Sequence, residues 1–265
     1  PGSKYVAMGS SFASGPGVTT SADSPPNRCQ RSADNYAHQL ARKRNLNLVD
    51  VSCGGATTAH ILGAWNELPA QIVAITPDTA LVTITIGGND VGFVSGLMAG
   101  SCEAEPEQRS SAVATMCDRL IAYGRSAPQM QAAAQALSDE ARWTKLERGF
   151  DQIAAEVRRR APQARLVFVD YVSLVPNEGL CPVLPLSDKA ATFARATALR
   201  LSQLTADTAR RTGAGIVKAS ELSKGHDVCA ENSWSTGFIP PSGAAGFSIY
   251  HPNLAAMTAI AGALD

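Results

Sequence analysis

Ser11 stands in the turn Gly9-Ser10-Ser11, directly after an apolar run from Lys4 to Met8. A serine hydroxyl is almost fully protonated near neutral pH, so it becomes a nucleophile only beside a general base. The chain offers four histidines for that task. His38 and His60 fall in helical patterns and read as surface or packing residues, and His226 reads as structural. His251, in Tyr250-His251-Pro252-Asn253 just ahead of the last helical stretch, is better placed. Acyl transfer also needs hydrogen-bond donors aimed at the developing oxyanion. The backbone N–H groups of Ser11 and Gly55 and the side-chain amide of Asn89 could supply three, each worth about 2.7–4 kcal/mol by analogy with other oxyanion donors. Asp90 follows Asn89 but is a lone carboxylate without neighbouring ligands, so no metal is expected there. Gly87 and Gly88 do not make a phosphate loop, because no lysine follows at the required spacing.

These residues are far apart in sequence and can meet only if the fold gathers them. Lys4 to Met8, Leu46 to Val51, Ala80 to Ile86, Leu166 to Tyr171 and Gly215 to Lys218 read as strands. Between them lie helical patterns at about Ser32 to Arg44 and Ser187 to Arg211, and a stripe of Trp143, Leu146, Phe150, Ile153 and Val157 at three- and four-residue spacing. Strand and helix alternate, which predicts an α/β domain with a mainly parallel sheet and helices on both faces. Ser11, Gly55 and Asn89 then each follow a strand, at the sheet edge where open α/β folds gather ligands. Ser95 to Ser138 and Asp227 to Phe247 break the repeat and are expected to be long loops or lids. Trp234 and Phe238 in the second of these are candidates for lining a substrate pocket.

The chain has 265 residues, 45% hydrophobic and 17% charged, with 23 basic residues against 23 acidic ones. That length suits one domain over residues 1–265, and the balance removes the long-range field that would draw in nucleic acid or an anionic membrane. No apolar run approaches a membrane span, and the start lacks the basic and apolar regions of a signal peptide. Cys29, Cys53, Cys102, Cys117, Cys181 and Cys229 form an even set with no CxxC pair, which favours disulfides over zinc. Fifteen full pairings are possible. Pairing in sequence order gives three local staples worth about 2–4 kcal/mol each. Disulfides imply an oxidising compartment, so a secreted, mature form is expected.

Four segments together resemble the signature blocks of the SGNH hydrolase superfamily, the GDSL esterases and lipases. They are VAMGSSFASG at Val6 to Gly15, SCGGATT at Ser52 to Thr58, IGGND at Ile86 to Asp90 and YHPN at Tyr250 to Asn253. The cysteine arrangement resembles that of secreted actinobacterial members, which supports pairing in order. The resemblance implies a flavodoxin-like three-layer α/β/α sandwich and a cofactor-free, monomeric serine ester hydrolase acting on small-molecule or lipid esters. It implies Ser11 as nucleophile, His251 as base, and Ser11, Gly55 and Asn89 as oxyanion donors, with Gly54 the turn residue that lets the backbone approach.

Two positions depart from the family pattern. Ser10 replaces the usual aspartate of the GDS triplet, which should alter local hydrogen bonding without abolishing catalysis. Ser248 stands three residues before His251, where the family places its triad aspartate. Either a main-chain carbonyl near Ser248 or Ile249 orients the imidazole, or an acid from elsewhere does, Asp227 being the nearest. The alternative from another class is a non-catalytic carbohydrate- or lipid-binding protein on the same scaffold. A binding protein has no physical need for the nucleophile and the oxyanion donors together.

Overall fold

The structure, a computed structural model, describes residues 2–103, 110–122, 140–240 and 247–265. Five strands, β1 (Lys4–Gly9), β2 (Asn47–Asp50), β3 (Thr79–Thr85), β4 (Arg165–Val169) and β5 (Gly215–Val217), form one parallel sheet in the order β2-β1-β3-β4-β5. In register, Val6 lies between Val49 and Val82, and Val82 faces Leu166. The order reverses at β1, so the crossovers from β1 and β3 leave in opposite directions and open a crevice beyond their carboxyl ends. Ser11 and Asn89 follow those two strands.

The α-helices among the described residues are α1 (Ser11–Ser14), α2 (Tyr36–Arg44), α3 (Thr58–Leu62), α4 (Phe93–Cys102), α5 (Ser111–Ala122), α6 (Glu140–Arg160), α7 (Asp188–Thr212), α8 (Ala219–Leu222) and α9 (Leu254–Leu264). They cover the sheet as the outer layers of an α/β/α sandwich. The helix expected from Ser32 begins only at Tyr36, because the Asn35 side chain accepts the His38 N–H at 3.0 Å and caps it there. Helix α6 buries the stripe read from sequence, and Phe150 meets Phe168 of β4 with ring centroids 5.6 Å apart.

The expectation of a long loop from Ser95 to Ser138 is corrected in its described part. Helix α4 runs through Phe93–Cys102 and α5 through Ser111–Ala122, while residues 104–109 and 123–138 lie outside the described residues. The sequence FVSGLMAGSC carries no charged face, and α4 buries Phe93, Val94, Leu97, Met98 and Ser101 around most of its girth. A helix that is buried on nearly every side has no amphipathic period to read. The cysteines pair in sequence order: Cys29 with Cys53, Cys102 with Cys117 and Cys181 with Cys229.

The carboxyl end of β1 is where the fold commits most polar groups. Gly9 has φ of 135°, and a Cβ there would lie 2.3 Å from the Thr85 carbonyl oxygen, so no other residue fits. The buried Gln71 side chain bonds Gly9 twice, accepting its N–H at 2.7 Å and donating to its carbonyl at 3.0 Å. That carbonyl also accepts the Cys53 N–H at 3.0 Å, and Ser10 N–H reaches Thr85 O at 2.9 Å. Replacing Gln71 by leucine strands a buried N–H. We expect Gln71→Leu to lose about 1–3 kcal/mol in equilibrium urea unfolding, and a loss below about 0.5 kcal/mol would refute this account of the β1 terminus.

Candidate active site

Ser11 opens α1, the short helix that begins as soon as β1 ends. Its Oγ lies 2.7 Å from Nε2 of His251, which arrives from the other end of the chain on the segment before α9. Asn253 caps α9, accepting the Ala256 N–H at 3.2 Å, and its amide donates to the Ser233 carbonyl at 2.7 Å. This anchors the stretch that carries the histidine. Phe12 packs under the pair, its ring 5.1 Å from the imidazole and 4.6 Å from Tyr171.

The second imidazole nitrogen, Nδ1, lies 2.6 Å from the carbonyl oxygen of Ile249. A carbonyl only accepts, so the bond places the proton on Nδ1 and leaves the Nε2 lone pair facing Ser11. The orienting carbonyl therefore belongs to Ile249 and not to Ser248, whose own carbonyl accepts a bond from the Thr236 hydroxyl. Asp227 is spent elsewhere: its Oδ1 accepts the Cys229 N–H at 2.9 Å, beside the Cys181 staple. A hydroxyl bonded in this way can pass its proton to the imidazole as it attacks a carbonyl carbon.

The segments of the expected oxyanion donors are tied to one another: Cys53 N–H donates to the Gly9 carbonyl, and Asn89 reaches Ala56. Gly55 has φ of 84°, so Gly55 itself, and not Gly54 as expected, makes the left-handed turn. The N–H groups of Ser11 and Gly55 donate to no protein acceptor among the described residues. Asn89 donates one amide hydrogen to the Ala56 carbonyl at 2.9 Å, which fixes its side chain and leaves the second hydrogen to point elsewhere. The Gly55 loop is thus held from both sides: the Cys29 disulfide and a bond from Gly54 N–H to Cys29 O tie one flank, and Asn89 and Asp90 tie the other. Ser10, in the family's aspartate position, is buried, with its Oγ 3.5 Å from the Tyr171 hydroxyl.

Three further residues make contacts around the site that the sequence reading did not give. Asp90 accepts bonds from the Thr58 N–H at 3.1 Å and its hydroxyl at 2.5 Å. Tyr171 accepts the Gly88 N–H at 2.8 Å, and burial pushes its phenol up to about 12. Thr236 brackets the histidine turn. Asp90 closes the IGGND block but its partner Thr58 lies 32 residues away, and Tyr171 and Thr236 belong to no motif.

The pocket expectations fare less well. Phe238 is fully buried against Tyr250, with ring centroids 5.9 Å apart, so it is a core residue and cannot line a pocket. Trp234 stacks on His226 at 4.4 Å, and its carbonyl accepts the Asn253 N–H at 2.9 Å, so it holds the histidine segment through its backbone. His60 likewise stacks on Trp65, and His38 lies 3.5 Å from Asp50. An apolar groove of about 800 Å³ lies instead between α4 and the start of α7, walled by Phe93, Leu97, Leu186 and Phe193.

Residues 7–259 match the model of the GDSL-like lipase/acylhydrolase family. The chain belongs to that family. It is 30% identical over 230 residues to Lipase 2 of Streptomyces coelicolor, covering 85% of this chain and 72% of the relative. In three dimensions this GDSL-like chain is similar to phospholipase A1 of Streptomyces albidoflavus, with a TM-score of 0.75, 25% identity, and coverage of 100% of this chain and 98% of the other. It is also similar to the extracellular lipase of Streptomyces rimosus, with a TM-score of 0.74, 27% identity, and coverage of 98% and 97%. The chain is accordingly a carboxylic ester hydrolase of the GDSL type.

Asp90 supplies a pH-dependent check on the loop it holds. Burial raises its pKa above 3.8, outweighing the Thr58 donors, which lower it. A carboxyl raised in the fold contributes most stability where both states are protonated, and loses that contribution as pH rises through the folded value. Asp90→Asn removes this titration while keeping an acceptor for Thr58. The melting temperature of Asp90→Asn minus that of the parent is expected to become more positive from about pH 3.5 to pH 7. A difference that falls over that range contradicts the assignment.

Proposed function

We propose that the chain hydrolyses carboxylic esters, lipid esters included, through an acyl-enzyme on Ser11. Ser11 Oγ attacks the ester carbonyl as Nε2 of His251 takes its proton, and the same nitrogen returns that proton to the departing alcohol. The tetrahedral oxyanion accepts hydrogen bonds from Ser11 N–H, Gly55 N–H and Asn89 Nδ2, and water activated by His251 then releases the acid. Ile249 O keeps the imidazole in the tautomer that this sequence of proton transfers needs. The observation that carries the reading is the 2.7 Å approach of Ser11 Oγ to Nε2 while Nδ1 is held by a carbonyl. The reaction calls for no cofactor.

The lipid preference is supported by the names of the relatives and by the groove between α4 and α7, whose apolar wall begins at Phe93, which opens α4 shortly after Asn89. Three disulfides suit an oxidising compartment, which supports action outside the cell. A formal charge of zero supports a neutral ester over a nucleic acid as partner. No described helix is long and apolar enough to cross a membrane.

A fluorophosphonate probe should label Ser11 at one equivalent per chain. Ser11→Ala should lower kcat on p-nitrophenyl esters by about 10⁴-fold or more while the protein stays folded. Labelling at Ser10 or Ser14, or retention of activity in Ser11→Ala, would refute the assignment.

A further inference from the structure

Tyr250, immediately before His251, has φ of 56°. In this left-handed region an ordinary side chain crowds its own backbone, and glycine or asparagine is the usual occupant. Among the described residues, two of the other three non-glycine residues in this region, Asn45 and Asn66, are asparagines. A tyrosine has no local reason to sit there.

The conformation has a direct consequence for the histidine. In an extended chain the carbonyls lie in the plane of the strand and the side chains stand perpendicular to it, so a carbonyl does not meet the side chain two residues on. The reversal at Tyr250 turns the Ile249 carbonyl back onto the His251 ring, and the resulting contact with Nδ1 is 2.6 Å. The bond that sets the tautomer of His251 therefore depends on the backbone of the residue between.

Two clamps hold that backbone. The first is the Tyr250 side chain, which is fully buried and whose hydroxyl lies 2.6 Å from Ser101 Oγ on α4. Ser101 donates its only hydroxyl proton to the Leu97 carbonyl at 2.8 Å, so the Tyr250 phenol is the donor and Ser101 the acceptor. The second is Thr236. Its hydroxyl donates to the Ser248 carbonyl and accepts the His251 N–H at 3.0 Å, while its own N–H donates to the His251 carbonyl at 2.9 Å. One residue thus closes both ends of the turn from Ser248 to His251.

We propose that Tyr250 and Thr236 are the positioning residues of His251, holding the left-handed turn by which a main-chain carbonyl does the orienting work of a triad acid. The proposal rests on the Ser11–His251 reading above. It also makes α4 part of the catalytic apparatus: Ser101 neighbours Cys102, which is tied to Cys117 of α5, so the position of that helix reaches the imidazole through one phenol.

The test compares Tyr250→Gly, Tyr250→Val and Thr236→Val. It reads kcat and KM on p-nitrophenyl butyrate, and the His251 ring tautomer by ¹⁵N NMR of histidine-labelled protein, with His251→Ala giving both the resonance assignment and the dependence of activity on His251. Glycine enters the left-handed region freely and valine does not, whereas valine fills more of the vacated space. The proposal expects Tyr250→Val to lose about 10²-fold in kcat with little change in KM, the scale of an ångström-sized misplacement. It expects Tyr250→Gly to retain clearly more activity than Tyr250→Val, and to keep the Nδ1–H tautomer that valine mixes. Thr236→Val, which keeps the size of the side chain, should lower kcat with KM unchanged, and it decides the matter if the Tyr250 variants fail to fold. A plain packing role gives the reverse ranking, valine above glycine, with the tautomer unchanged. That result, or a kcat unchanged in Thr236→Val, would overturn the proposal while leaving the dyad intact. Full activity in His251→Ala would overturn the dyad itself.

Discussion

A hydroxyl, an imidazole and a main-chain carbonyl lie in one hydrogen-bonded line from Ser11 through His251 to Ile249, and this line joins segments 240 residues apart. Its two bonds, at 2.7 and 2.6 Å, leave little slack, and a misplacement of about 1 Å can cost 10²-fold in rate. The parallel sheet places Ser11 by ending β1 in a glycine that admits no side chain and that Gln71, Cys53 and Thr85 surround. The capping of α9 by Asn253, with the bonds from Thr236, places the histidine.

The choice of a carbonyl as orienter has electrostatic consequences. It fixes the tautomer as well as a carboxylate would, but it brings a dipole and not a full negative charge to the imidazolium that forms during attack. In the proposed mechanism, transition-state stabilisation then leans more on the oxyanion side of the reaction, the role proposed for Ser11, Gly55 and Asn89. The Gly55 loop is accordingly held firmly, by a disulfide on one flank and by Asn89 and Asp90 on the other.

Much of this was legible in the sequence where function is written in short contiguous blocks. Ser11, Gly55, Asn89 and His251 stood out as candidates because four short blocks together resemble those of one family, and the structure brings Ser11 and His251 into contact. The strands and α6 were legible from their apolar periods. Helix α4 was not, because it is buried on nearly all sides and its sequence shows no polar face. Phe238 looked like a pocket residue because it sits in a glycine- and proline-rich segment, yet that segment folds its aromatic ring inward onto Tyr250. The distinction between the carbonyls of Ser248 and Ile249 depends on the sign of one backbone angle at Tyr250, which no composition or spacing records. Gln71, Tyr171 and Thr236 act on partners between 12 and 83 residues away, so no local pattern marks them.

The central claim is that the main chain, and not an acid, orients His251, and Asp227 is the acid that the sequence puts forward against it. The direct measurement is kcat/KM of Asp227→Asn on a p-nitrophenyl ester, with thermal melting to confirm the fold. Since Asp227 holds the Cys229 N–H, the account predicts activity within about tenfold of the parent, far short of the loss that follows removal of a triad aspartate. A fall of about 10⁴-fold in a folded variant would make Asp227 the triad acid and contradict the account.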